Sequence, residues 1–144
     1  MTKELLIVGG PNGSGKTTFS KSFLDEYNYE FLNADEIASE LSEDGNQAGN
    51  ISAGKEYFKR IEKLKTKNKN IILESTLSGM FLIKLIKEFK KKEYNVKIIF
   101  VVLNAPEQCI ERIKHRVVTG GHFVPDDDVR RRFIRGKNNF WNIY

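Results

Sequence analysis

Cysteine occurs once in the 144 residues, at Cys109, so the chain can form no internal disulfide. Beside it stand only two histidines, His115 and His122, which together offer no zinc set. Three prolines, 40% hydrophobic and 30% charged residues exclude a disordered or fibrous composition. The longest unbroken apolar run, Ile98 to Leu103, is strand-sized, far short of the ~20 residues that span a bilayer. Met1 to Glu4 is charged and leads straight into an apolar strand and a glycine loop, leaving no room for a removable signal segment. A cytoplasmic protein with no membrane contact is the expectation. Acids are short after Glu56: of the 24 bases and 19 acids, the first 56 residues hold four and ten. The net charge of +5 is therefore local, either a nucleic-acid surface or arginines gathered around phosphate with lysines solvating helix faces.

The length fits one domain, residues 1–144. Four short segments read as buried strands: Leu5 to Val8, Glu30 to Asn33, Asn70 to Leu73 and Val96 to Leu103. Between them runs helical pattern. Lys16 to Glu26 carries Phe19, Phe23 and Leu24; a second stripe is Tyr57, Phe58, Ile61 and Leu64; a third is Leu82, Leu85, Ile86 and Phe89. The fourth helix opens on Asn104 as cap, Pro106 and Glu107, and continues through Cys109, Ile110, Ile113 and Val117. Cys109 on that stripe is a small core residue. Asp126 to Tyr144 reads as a last helix with Val129, Phe133, Phe140 and Trp141 for packing. Ser42 to Gly54 and Thr119 to Pro125 read as mobile loops. Alternating strands and helices predict an α/β, three-layer fold, a parallel sheet with helices on both faces. Four core strands are expected, without the fifth that phosphate-loop kinases usually carry, which suggests truncation at the C-terminus or an edge covered by another element.

Gly10 to Thr17 reads GPNGSGKT, the pattern G-x-x-x-x-G-K-[ST], between a strand and a helix. Glycines let successive backbone N–H groups turn inward around phosphate, and the following helix adds its positive end. Gly10, Pro11, Asn12, Gly13, Ser14, Gly15, Lys16, Thr17 and Thr18 are the expected ATP contacts, with Lys16 on the β and γ phosphates and Thr17 on Mg²⁺. The cradle alone leaves the reaction open. No N-K-x-D motif and no D-x-x-G after the third strand argue against a GTPase, and Leu77 to Gly79 only superficially echoes a transporter ATPase signature.

Parallel sheets present function at strand carboxyl ends. There lie Asp35, the candidate base for an acceptor hydroxyl, and Glu74, which either holds a magnesium-bound water or bonds the acceptor. A helix cap is the competing reading of Asp35. Arg112 and Arg116, four apart on the fourth helix and off its apolar stripe, suit a lid over the γ phosphate, in a lid region of about residues 112–132. His122 in the glycine loop could contact phosphate or acceptor. Arg130 to Arg132 continue the cluster, and spacing does not choose among them.

GPNGSGKTT, NADEIA, ESTLSG and RVVTGGHFVPDDDVRRRF, in this order, resemble the zeta-toxin-like phosphate-loop kinases over nearly the whole chain, in particular a small bacterial branch. The resemblance implies that Asp35 is the base for a sugar hydroxyl, that Glu74 and Thr76 touch the acceptor, and that Arg112 or Arg116 binds phosphate as a lid arginine. His122 falls near where the toxins carry another arginine. It further implies transfer of the ATP γ phosphate to the 3′-hydroxyl of UDP-N-acetylglucosamine, and an antitoxin protein as a partner. Two other readings stand beside it: a polynucleotide-end kinase, disfavoured because aromatics are not interleaved with the basic runs, and a non-catalytic nucleotide-dependent module held by a partner.

Overall fold

A computed structural model describes residues 2–34, 36 and 49–144. Four strands alternate with helices: β1 (Glu4–Gly9), α1 (Lys16–Glu26), β2 (Tyr29–Leu32), α2 (Gly49–Lys67), β3 (Asn70–Ser75), α3 (Phe81–Lys91), β4 (Asn95–Phe100), α4 (Pro106–Val118) and α5 (Asp126–Asn142). The described strands form one parallel sheet in the order β2-β3-β1-β4. Each crossover returns the chain to the same end of the sheet, so all four strands finish along one rim.

Period-two alternation sends β1 into two cores. Leu5 and Ile7 face one side with Ile71, Leu73 and Leu32, covered by Ile61 and Leu64 of α2 and Leu82, Leu85 and Phe89 of α3. Leu6, Val8 and Ile72 face the other, where Phe19, Phe23 and Leu24 of α1 pack. Helices thus lie on both faces, giving the three layers. A smaller core joins Cys109, Ile110 and Ile113 of α4 to Val129 and Phe133 of α5. Among the described residues no helix is long and apolar enough to cross a membrane.

Several expected details move. The fourth strand ends at Phe100, not Leu103. Its last tie to β1 is Val101 N–H to Gly9 O at 2.7 Å, because beyond Gly9 the partner turns away into the glycine loop. The cap of α4 is Ala105, while the Asn104 N–H is taken by Gln108 Oε1 at 3.0 Å. Helix α2 already begins at Gly49, inside the stretch expected as a loop; the rest of that stretch, residues 42–48, lies outside the described residues. Three residues read as core are exposed: Phe58 at 48%, Val117 at 36% and Trp141 at 73%. Phe58 and Trp141 lie one 100° step beyond the buried stripe of their helices, whereas Val117 is in line with Cys109, Ile110 and Ile113 but sits in the last turn of α4.

Leu82 is fully buried, so Leu82→Ala should cost about 2–5 kcal/mol by urea unfolding. Trp141→Ala should change stability by no more than about 0.5 kcal/mol.

Candidate active site

Strand register assembles the site. Val8 pairs with Glu74 and Gly9 with Ser75, while Leu32 pairs with Leu73, so Asn33, one step on, arrives beside Glu74. Gly10 then follows at φ +151°, where an added Cβ would lie 2.0 Å from Val101 O. Only glycine fits, and the chain leaves the sheet there as a phosphate-type loop. Gly15 caps α1 at φ +101° with no side-chain cap, and the first turn holds no acid. The first N–H groups and the positive end of α1 are thus left to an anion.

Lys16 is buried, and its Nζ donates to Pro11 O at 2.9 Å, folding the loop over its own lysine. Glu74 is 4% exposed. Its Oε2 accepts from Thr17 Oγ1 at 3.0 Å and from Asn33 Nδ2 at 2.9 Å. A buried carboxylate is costly unless such donors surround it, and here they aim it at the loop. Thr17 and Glu74 together supply hard oxygen donors of the kind Mg²⁺ takes alongside phosphate and water. With the uncapped helix end and the glycine cradle, the residues present therefore fit ATP with Mg²⁺. Among the described residues no group of three or more His, Cys, Asp or Glu side chains is placed to hold a metal ion.

The arginines converge on this loop from two helices. Arg112 Nη1 approaches Ser14 O at 3.5 Å. Arg116 lines a chamber of about 70 Å³ with Asn12, Gly13, Gly15, Lys16, Thr17, Thr18 and Glu74. Of the three consecutive arginines, Arg130 pairs with Asp127 and Glu107 and Arg131 with Asp128, whereas Arg132 Nη1 donates to Asn12 Oδ1 at 3.1 Å. Spacing alone had not distinguished Arg132.

Beside the loop opens a cavity of about 330 Å³, whose walls include Lys16, Glu74, Thr76, Phe58, Phe81 and Arg132. It shares Asn12, Lys16 and Glu74 with the phosphate chamber. Thr76 Oγ1 lies 2.7 Å from Ser78 Oγ, and the Tyr57 hydroxyl donates to Glu74 O at 3.1 Å. Phe58 packs edge-on to Phe81 with centroids 5.4 Å apart. A second cavity, about 480 Å³, adjoins through Ala34, Tyr57 and Arg132, and His122 lines it, apart from the phosphate chamber. Asp35 lies outside the described residues. Sequence reasoning missed Asn33, Tyr57, Phe58 and Ser78 as cavity residues; Asn33 was legible as the strand-end neighbour of Asp35, but the aromatics read only as helix stripe.

The family described as AAA domain matches residues 5–135. An uncharacterized protein of Haemophilus influenzae is 30% identical over 133 residues, covering 92% of this chain and 94% of that one. A guanylate kinase of Clostridium perfringens is 24% identical over 152 residues, covering 88% of this chain and 66% of the kinase. Among solved structures, the PezAT chromosomal toxin-antitoxin system of Streptococcus pneumoniae superposes with a TM-score of 0.69 at 23% identity, over 82% of this chain and 55% of that chain. The chain thus spans about half the length of that solved chain and just under two thirds of the guanylate kinase. The fold is that of phosphate-loop kinases.

Lys16→Ala should weaken MgATP binding about 10- to 100-fold by calorimetry, as expected for a lost charged hydrogen bond in a buried site. Cys109 is fully buried, and burial pushes its thiol up from the usual range. The thiolate is then scarce at neutral pH, so the native protein should resist iodoacetamide, with alkylation appearing only on unfolding.

Proposed function

This chain belongs to the AAA domain family, and from that premise we propose that it is an ATP-dependent kinase that moves the γ phosphate to a hydroxyl of a small molecule. One observation carries the reading: the phosphate chamber opens into a cavity of about 330 Å³ and shares Lys16 and Glu74 with it. That volume lies in the range of about 300–1,000 Å³ that encloses a small ligand. A nucleotide switch or motor needs no such chamber beside its γ phosphate, whereas a kinase must seat its acceptor there.

Each residue then has a defined task. The loop N–H groups from Gly10 to Thr18 hold the phosphates, and Lys16 swings from Pro11 O onto the β and γ oxygens. Bound Mg²⁺ would supply neutralisation of the phosphates' negative charge. Thr17 would hold it directly, and Glu74 through a water. Asp35, two residues after Asn33 in the sequence, is assigned as the base that accepts the proton of the acceptor hydroxyl as its oxygen attacks phosphorus and the bond to the ADP oxygen breaks. Arg116 and Arg112 cover the γ phosphate and spread its charge in the transition state. Thr76 and Glu74 orient the acceptor, and His122 contacts its distal part from the second cavity.

The resemblance to zeta toxins makes UDP-N-acetylglucosamine the sharpest acceptor to test, and the S. pneumoniae toxin-antitoxin neighbour supports trying a protein antitoxin as partner. Incubated with ATP, Mg²⁺ and UDP-N-acetylglucosamine, the protein should yield ADP and a phosphorylated sugar nucleotide by mass spectrometry, and chelation of Mg²⁺ should stop it. Asp35→Ala should slow transfer by about 10²- to 10⁴-fold while sparing MgATP binding. ATP binding without transfer to any hydroxyl acceptor would instead favour a nucleotide-dependent module.

A further inference from the structure

The connection between β3 and α3 carries Thr76 and Ser78, both facing the cavity of about 330 Å³. Its backbone is strained. Leu77 sits at φ +57°, a left-handed conformation that a side chain with a Cβ adopts at a cost of roughly 1–3 kcal/mol. Its side chain is fully buried against Gly9, where an added Cβ would lie 2.5 Å from Leu77 Cδ1. The hydrogen bonds within the connection are local, from Leu77 N–H to Ser75 Oγ at 3.1 Å and between Thr76 and Ser78.

Helix α5 and the residues just after it grip this connection from outside. Asn139 Nδ2 donates to Leu77 O at 2.7 Å, and the Tyr144 hydroxyl donates to Gly79 O at 2.7 Å. Gly136 lies flat against Thr76, with an added Cβ only 2.4 Å from Thr76 O. A glycine inside a helix costs ~1 kcal/mol relative to alanine. The close approach is the physical reason to keep it.

Gly136 and Asn139 follow Arg132 by four and seven residues, so the three share one helical face. Arg132 is fastened to Asn12 of the phosphate loop at 3.1 Å. Two turns of helix, a rise of about 10 Å, therefore separate a grip on the donor loop from a grip on the connection that presents Thr76 and Ser78. We infer that this face of α5 is a ruler between the two halves of the site, and that Asn139 is a positioning residue that sets where the acceptor-facing hydroxyls stand relative to the phosphate loop. The purpose so assigned rests on the kinase reading; the geometry does not.

Hydrogen exchange followed by mass spectrometry tests the ruler without any acceptor. Asn139→Asp keeps the side-chain shape but faces the Leu77 carbonyl with an acceptor in place of a donor, and Asn138→Asp adds the same charge one exposed position away. Asn139→Asp should speed exchange at Leu77 to Met80 by about tenfold or more. β1, β3 and the MgATP dissociation constant should stay within about twofold of the parent; Asn138→Asp should do none of this. Gly136→Ala, which favours helix but pushes on Thr76, provides the second variant and should also loosen the connection. In the transfer assay with UDP-N-acetylglucosamine, Asn139→Asp should raise the KM of the acceptor and not that of ATP. Unchanged exchange at Leu77 to Met80, a rise spread equally over β1 and β3, or an equal effect of Asn138→Asp overturns the inference. A parent protein that transfers no phosphate to this or any other hydroxyl acceptor refutes the kinase reading, and the exchange comparison still decides the ruler.

Discussion

The hydrogen bond from Thr17 to Glu74 joins the first residues of α1 to the end of β3, and the rest of the site is arranged around that tie. It exists because β1 and β3 pair in parallel with Val8 opposite Glu74. A shift of one residue in that register would turn Glu74 to the other face of the sheet and leave a carboxylate buried among aliphatic side chains. Asn33 depends on the same constraint through β2, since its amide reaches Glu74 only when Leu32 lies opposite Leu73. Hydrophobic burial of Leu5 to Val8 and Ile71 to Leu73 holds the register, and the register places the polar groups.

Local pattern made much of this legible. Helix α1 has the bounds its sequence predicts because the glycine loop fixes its start and no competing signal lies within it. The sheet was legible because its strands are short apolar runs between helical stripes. What escaped depends on contacts between distant segments. Val101 to Leu103 look like strand, but a strand needs a partner, and Gly10 takes β1 away. Phe58 fits an apolar stripe, yet one residue of rotation puts it at the cavity wall beside Phe81 instead of under the sheet. Arg130, Arg131 and Arg132 are indistinguishable as letters; the helix separates them by 100° steps, giving two to nearby acids and one to the phosphate loop.

That separation bears on the basic charge of the second part of the chain. Lys65 is shared by Glu62 and Glu88, Lys67 and Lys69 by Glu30, and Lys97 meets Glu4. Lysines on the helix and strand surfaces are thus paired or solvated, where such pairs are each worth little. Arginines, with planar forks that suit phosphate oxygens, are the residues brought to the loop by α4 and α5. Arg112, Arg116 and Arg132 reach the loop, while Arg60, Arg130 and Arg131 pair with nearby acids as the lysines do.

Helix α5 shows how stability and function compete at one position. Alanine at 136 would favour the helix itself, and Val129, Phe133 and Phe140 already give α5 its apolar anchorage, the last stacked on Phe100 with centroids 4.8 Å apart. Glycine there lowers the intrinsic stability of the helix and lets its backbone approach Thr76 O more closely than any side chain allows. The same approach brings Asn139 within 2.7 Å of the carbonyl of Leu77, whose left-handed backbone needs outside support. Removing the glycine for the sake of the helix would therefore move the strain into the connection that carries Thr76, so the local preference of α5 and the geometry of the site cannot both be satisfied.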